Sequence, residues 1–373
     1  MTTVNKKRIH YTEIGAGAID EEGRLWYSAM GFNSLFCYDI EKDELEWKGF
    51  FPNEAIWKSF LFSSCIIWMH KLIFAPDSAD NIAVYDTLTG DFYQIKLEKK
   101  DCSNRRFYCL AQWDHFVYVF GDMSAEFIRI DMDTLLTQSF FELYDEMRRI
   151  GKRDVPFYFS RAICKFDEKR FFLLGGKANV LVEFDASSMD YSIIKLGDDN
   201  GGFNNLYKVD HKLFLVPGLN QSFSIWDTDN NQLFPYSDVI REKVQFFKMC
   251  RMGTDLIVFP DRANHMARWN ILNEQNISFE SADMYSDGEL VFGSGDFTKF
   301  SYVDENDNYT LIFCRSNRRL YVYDKKKKVE KSTYLYIGLA MREQISNGFV
   351  KLFGSVWREN DLYGLSDLVK GGL

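Results

Sequence analysis

Proline is scarce in this chain, with 6 in 373 residues, so a Pro-rich linker or disordered composition is excluded. Basic residues are in deficit: 45 Lys and Arg against 54 Asp and Glu leave a net charge of -9, which disfavours nucleic acid as a partner. Long apolar runs are missing as well. The most apolar window, 60–74, is broken by His70 and Lys71 and is too short to span a bilayer. Lys6, Lys7 and Arg8 are not followed by an apolar stretch of signal-peptide length, so a soluble, cytoplasmic protein without a membrane partner is expected. The seven cysteines (Cys37, Cys65, Cys102, Cys109, Cys164, Cys250 and Cys314) are odd in number and never spaced Cys-x-x-Cys. Neither a disulfide framework nor a zinc knuckle is written here, and reduced, mostly buried thiols are expected. Without a secretory signal, the glycosylation sequons at Asn220, Asn276 and Asn308 carry no meaning.

Aromatic residues, by contrast, are abundant: 34 Phe, 20 Tyr and 8 Trp, or 17% of the chain. Their distribution follows a repeat. An apolar run, a small or Pro-containing turn, a second apolar run and an aromatic-Asp ending recur eight times. The endings are Tyr38-Asp39, Tyr85-Asp86, Ile130-Asp131, Phe184-Asp185, Trp226-Asp227, Trp269-Asn270, Tyr323-Asp324 and Tyr363-Gly364. Fourteen residues before each stand Leu25, Leu72, Val117, Phe171, Leu213, Leu256, Thr310 and Val350. Two residues further on stand Tyr27, Phe74, Val119, Leu173, Leu215, Val258, Ile312 and Leu352. An apolar spacing of two is a strand period. Ala29, Pro76, Gly121, Gly175, Pro217, Pro260, Cys314 and Gly354 then mark a turn before the next apolar run.

Each unit is therefore a hairpin, and the endings lie 40 to 54 residues apart. That leaves room for an inner strand before the hairpin, such as 60–68, and an outer one after it, such as 91–97. Four strands per unit make a propeller blade, whose two faces must stack on neighbouring blades through large side chains. The expected fold is all-β: residues 1–373 form a single β-propeller domain with eight blades, or seven if the last unit is a degenerate cap. The last unit lacks an obvious outer strand, whereas Lys6 to Ile14 is strand-like and has no hairpin ahead of it, so the N-terminal strand is expected to close the ring.

These residues resemble the kelch-type β-propellers, through the turn at Gly175-Gly176, the Tyr-Asp ending at Tyr85-Asp86, and a later aromatic such as Trp47 or Tyr93. The resemblance spans nearly the whole chain. It implies the fold and no particular activity.

Several residues look chemical but are periodic. His70, His115 and His211 all stand sixteen residues before their endings, as turn residues between first and second strands of different blades. Sheets stacked about 10 Å apart cannot bring three such turns to one zinc. No metal or cofactor is expected. Asp39, Asp86, Asp131, Asp185, Asp227 and Asp324 recur once per blade and read as turn formers. Lys325 to Lys328 reads as a solvated turn. Phosphate loops and Gly-x-Ser-x-Gly elbows are absent; Gly197, Gly201 and Gly202 have no accompanying strand, helix and Lys.

Departures from periodicity point to function. The turns between second and third strands differ from blade to blade and contain Asp77, Asp122, Lys177, Asp261, Arg262, Arg315, Arg318, Arg319, Trp357 and Arg358. Carboxylates, guanidinium groups and a Trp around one rim suit a polar or anionic ligand. Two connections are long. In 139–159, Phe140, Leu143, Met147 and Ile150 share one helical face, so a short helical insertion is expected there; 281–297 is rich in Gly and Asp and is expected to be a loop. The expected function is a binding scaffold that presents this rim to a protein or glycan ligand. The alternative is a carbohydrate-active hydrolase or lyase. It would use two of Asp77, Asp122 and Asp261 as acid and base, with Arg262, Arg315 or Arg358 holding the substrate charge.

Overall fold

The computed structural model describes residues 11–56, 58–97, 106–121, 126–151, 159, 162–175, 178–197, 202–218, 221–236, 246–260, 265–281 and 300–353. It contains seven four-stranded antiparallel sheets, in 14–49, 62–95, 107–140, 163–195, 203–235, 246–281 and 300–334. In every sheet the four strands are consecutive in the chain and adjacent in space. The fold is a single β-propeller of four-stranded blades, here numbered 1 to 7 in chain order.

Burial explains why the middle strands read as apolar on both faces. In the second strand of blade 2, Lys71–Pro76, Leu72 and Phe74 pack into a cluster shared with blade 1, while Ile73 and Ala75 pack into one shared with blade 3. The same alternation recurs around the ring. Its consequence is seven apolar clusters, each joining two successive blades, with the last shared between blades 7 and 1. At this last junction Leu25, Tyr27, Phe36 and Tyr38 meet Leu311, Phe313, Leu320 and Val322. Polar groups rim it: Tyr309 Oη donates to Glu41 at 2.5 Å, Lys327 Nζ approaches Glu41 at 3.1 Å, and Asn306 Nδ2 donates to the Asp20 carbonyl at 3.2 Å. Gly23, at φ +80°, lies against the Tyr309 ring; a Cβ there would come within 2.9 Å of the ring.

The eight-blade expectation is overturned. Val350 and Leu352, the strand columns of the eighth unit, belong to helix α2, Leu339–Phe353. Helical spacing governs here: Met341 and Ile345, four apart, pack on the cluster between blades 1 and 7. Gly348 lies so close to Trp47 of blade 1 that a Cβ would fall 2.3 Å from its ring. Ring closure by an N-terminal strand is corrected too, because blade 7 already has its own outer strand, Val329–Tyr334. Of the expected strand, 6–10 lie outside the described residues, Tyr11 forms one isolated bridge with Tyr336, and Ile14 opens the first strand of blade 1.

Helix α1, Glu142–Gly151, follows blade 3. Leu143, Tyr144 and Met147 are fully buried in the cluster between blades 3 and 4, and Tyr144 Oη donates to the Gly121 carbonyl at 2.9 Å. The helix thus seals the junction on the edge where second strands turn into third strands. Among the described residues no helix is long and apolar enough to cross a membrane.

Candidate ligand-binding face

The ring has two edges. One carries the turns from first to second and from third to fourth strands; the other carries the turns from second to third strands.

On the first edge the recurring carboxylates have a structural task. In every blade the residue that ends the third strand accepts two backbone N–H bonds, from residues two and three further on. Asp86 receives Leu88 at 2.9 Å and Thr89 at 3.2 Å, Asp131 receives Asp133 and Thr134 at 3.0 Å each, and Asp324 receives Lys326 at 3.0 Å and Lys327 at 2.8 Å. Asp39, Asp185 and Asp227 do the same, and Asn270 substitutes its amide oxygen in blade 6. The N–H one residue beyond each ending reaches the tip of the first turn: Thr87 bonds the His70 carbonyl at 2.8 Å, Met132 that of His115 at 2.9 Å and Thr228 that of His211 at 3.0 Å. These bonds favour the ionised carboxylates. Asp131 and Asp324 are held below the ordinary value chiefly by the N–H of Thr134 and of Lys327, and Asp39, Asp185 and Asp227 chiefly by the side chains of Lys42, Ser187 and Asn230. At Asp86 burial pulls upward, but the N–H groups of Thr89 and Leu88 and the nearby His70 outweigh it.

The second edge holds the residues expected to bind. Asp122, Lys177, Asp261, Arg262, Trp357 and Arg358 lie outside the described residues. Asp77 is ion-paired with Arg106 at 3.2 Å, and its N–H donates to the Leu61 carbonyl at 2.8 Å. Beside it, the buried Glu54 takes Lys58 at 2.8 Å and the N–H of Asp80 at 2.8 Å, so this sector is already a satisfied polar network. Arg315 reaches across to blade 1 and pairs with Glu13 at 3.0 Å.

A different cluster forms around the turn 315–318 of blade 7. Arg318 takes a left-handed backbone conformation, φ 59°, that carries the chain into the third strand. Arg319 at that strand's start is paired in register with Tyr334 at the end of the outer strand. Its guanidinium lies 4.8 Å from the Tyr334 ring centre, and Nε donates to Tyr334 Oη at 2.9 Å and Nη1 to Ser332 Oγ at 3.3 Å. The chain's start brings Tyr11 onto this patch, 4.9 Å from Tyr334 and 6.4 Å from Tyr336 between ring centres. Burial raises the Tyr11 hydroxyl above its ordinary pKa, with Tyr334 adding to the effect and Arg318 opposing it. Tyr334 and Tyr336 remain 38% and 45% exposed. Two exposed tyrosine rings thus stand beside the half-buried Tyr11, Arg318 and Arg319.

Of these five residues, Arg318 and Arg319 stand among the variable turns of the sequence. Tyr11, Tyr334 and Tyr336 fall outside the repeat columns. The one signal for them is the excess of Tyr in the segment 334–336, immediately after an outer strand.

No family model matches the chain, and no curated protein matches its sequence. Solved structures do match in shape. Virginiamycin B lyase from Staphylococcus aureus aligns with a TM-score of 0.59 at 12% identity, over 88% of this chain and 96% of that one. A chain of the mitotic checkpoint complex aligns at 0.54 and 9% identity, over 90% and 95% of the two chains. The computationally designed Ika8 protein aligns at 0.51 and 10%, over 87% and 97%. The shared property is the fold. An enzyme, a checkpoint assembly and a designed protein have no one activity in common, so the likeness carries the coarse propeller architecture and nothing specific to kelch repeats.

Proposed function

We propose that this protein is a binding scaffold, with no chemistry of its own, that presents the edge bearing the second-to-third strand turns to an acidic protein segment or glycan in the cytoplasm. The observation that carries this reading is the patch of Tyr11, Arg318, Arg319, Tyr334 and Tyr336. Guanidinium groups form paired hydrogen bonds with carboxylates and phosphates, and exposed tyrosine rings offer flat apolar faces with a polar end. Rigidity comes from below, because both strands that carry Arg319 and Tyr334 belong to a sheet packed on two neighbours. Asp77, offered by the sequence as an acid or base, is tied to Arg106, which supports a structural use of that carboxylate. Asp122, Asp261, Arg262, Lys177, Trp357 and Arg358 belong to the same proposed edge through their sequence columns.

The test is a binding screen on arrays of acidic glycans and acidic peptides, with Arg319→Ala and Tyr336→Ala as variants and Leu88→Ala on the opposite edge as control. A loss of about tenfold or more for the first two and none for the third is expected of contact residues. A ligand whose affinity all three leave unchanged would overturn the proposal, and turnover of any bound glycan would replace it with an enzyme.

A further inference from the structure

On the opposite edge, the three histidines do not converge on one another, but each meets the carboxylate that ends the third strand of its own blade. In blade 2, His70 Nε2 lies 3.2 Å from Asp86 Oδ2. In blades 3 and 5 a second carboxylate joins, two residues further along the turn. His115, Asp131 and Asp133 form one cluster and His211, Asp227 and Asp229 the other, with the donor atoms of each within 4.8 Å of one another. Blade 2 has Leu88 at the matching position, 77% exposed.

We propose that these two clusters are divalent metal sites of the zinc type, one in blade 3 and one in blade 5. One imidazole nitrogen and two carboxylate oxygens form a donor set suited to a borderline cation, and three protein ligands leave room for water in the remaining position. Donors on a tetrahedral zinc with bonds of about 2.1 Å stand about 3.4 Å apart, so side chains spread over 4.8 Å have to turn inward by roughly 1 Å. His211, Asp133 and Asp229 are exposed, His115 and Asp131 are half-buried and Asp227 is buried, so the movement falls to the histidines and the outer carboxylates.

His115 supplies the second, independent observation. Its Nδ1 lies 2.9 Å from Asp114 Oδ2, the outer carboxylate contact that orients metal-binding imidazoles. In the tautomer that donates from Nδ1 to Asp114, Nε2 is the nitrogen left to ligate. Asp114 is itself anchored, since its carbonyl accepts Trp68 Nε1 of the preceding blade at 3.1 Å. Asp131 is fixed by the N–H groups of Asp133 and Thr134, and Asp227 by those of Asp229 and Asn230. Each cluster thus gathers one imidazole and two carboxylates at a single turn. A bare His-Asp pair, the competing account, needs no second carboxylate.

Zinc chloride titrated into the full-length chain, followed by calorimetry, separates the two. The wild type is expected to take up two zinc ions, Asp133→Ala or Asp229→Ala one, and the double variant none. Thermal unfolding in EDTA, unchanged among these variants, keeps a loss of zinc from being a loss of fold. Leu88→Asp, which completes the set around His70 and Asp86, is expected to add a third ion. No uptake by the wild type at millimolar zinc would overturn the proposal, as would a double variant that binds like its parent.

Discussion

Tyr309 and Glu41, 268 residues apart, are joined by a 2.5 Å hydrogen bond from the Tyr309 hydroxyl to the Glu41 carboxylate. That contact places the last sheet directly against the first, with Lys327 on the same carboxylate and the Tyr309 ring over Gly23. The junction uses side chains where an exchanged strand was expected, and it shares the apolar filling of the other six. A cavity of about 150 Å³ remains at its outer end, between Glu41, Tyr309 and Lys331.

If this junction holds the ring, the buried residues at its centre carry most of its stability. Leu311 is fully buried there. Leu311→Ala is expected to cost about 2–5 kcal/mol, measured by denaturant unfolding. A cost well under 1 kcal/mol would mean that blades 7 and 1 do not pack together.

Gly348→Ala tests the helix that replaces an eighth blade. In an exposed helix this change stabilises by about 1 kcal/mol. Here the added methyl meets the Trp47 ring, so a loss of stability and a change in Trp fluorescence are expected. A gain in stability would detach α2 from blade 1.

The strand-end turns make a prediction about acid. Their aspartates have folded pKa values below the unfolded ones, so the stabilisation is complete above the unfolded value near 4 and is lost as pH falls through the lower folded values. Unfolding free energy is expected to be insensitive to these groups from pH 5 to 7 and to decline below about pH 4. Asp86→Ala, which removes the oxygen that accepts two N–H bonds, is expected to cost about 1–2 kcal/mol at pH 7. Asp86→Asn is expected to cost less, because Asn270 already makes the same turn in blade 6. Equal costs for the two variants would contradict the turn-forming role.

Asp304 shifts the other way. It retains some solvent contact on the innermost strand of blade 7, yet protein surrounds it, and burial raises its carboxyl above the ordinary value despite the hydrogen bond from Tyr302 at 2.8 Å. Its contribution to stability is present below the unfolded pKa and lost as pH rises through the raised folded value. Asp304→Asn is therefore expected to unfold at a higher temperature than the wild type at pH 8, with the difference vanishing near pH 3. A difference that grows toward acid would reverse this assignment.

Seven hairpins were legible in the sequence because strands buried on both faces need apolar residues at every position and a turn at fixed distance. The strand-end Asp was legible for the same reason, since every blade needs that turn once. The eighth unit misled because two apolar residues two apart fit a helix as well as a strand. Its ending, Tyr363-Gly364, lacks the side-chain oxygen that closes the other seven turns, and that is the signal that separates it. Arg318 and Arg319 stood out as departures from the repeat. Tyr11 could not, because its partners Tyr334 and Tyr336 become its neighbours only when blade 7 comes to lie beside blade 1.

Among the described residues Cys37, Cys109, Cys250 and Cys314 are buried and Cys65 and Cys164 half-buried, and burial pushes Cys37 and Cys164 up to about 12. Denatured, non-reduced protein is expected to titrate seven thiols, and a stable bridge between any two would argue for an oxidising compartment.

The measurement that bears most directly on the proposed function is hydrogen exchange with and without a ligand found in the binding screen. Slower exchange is expected at 315–319 and 334–336, on the edge with the second-to-third strand turns, with 87–89 and 132–135 unchanged. Protection confined to 87–89 and 132–135 would put the ligand on the opposite edge and contradict the account.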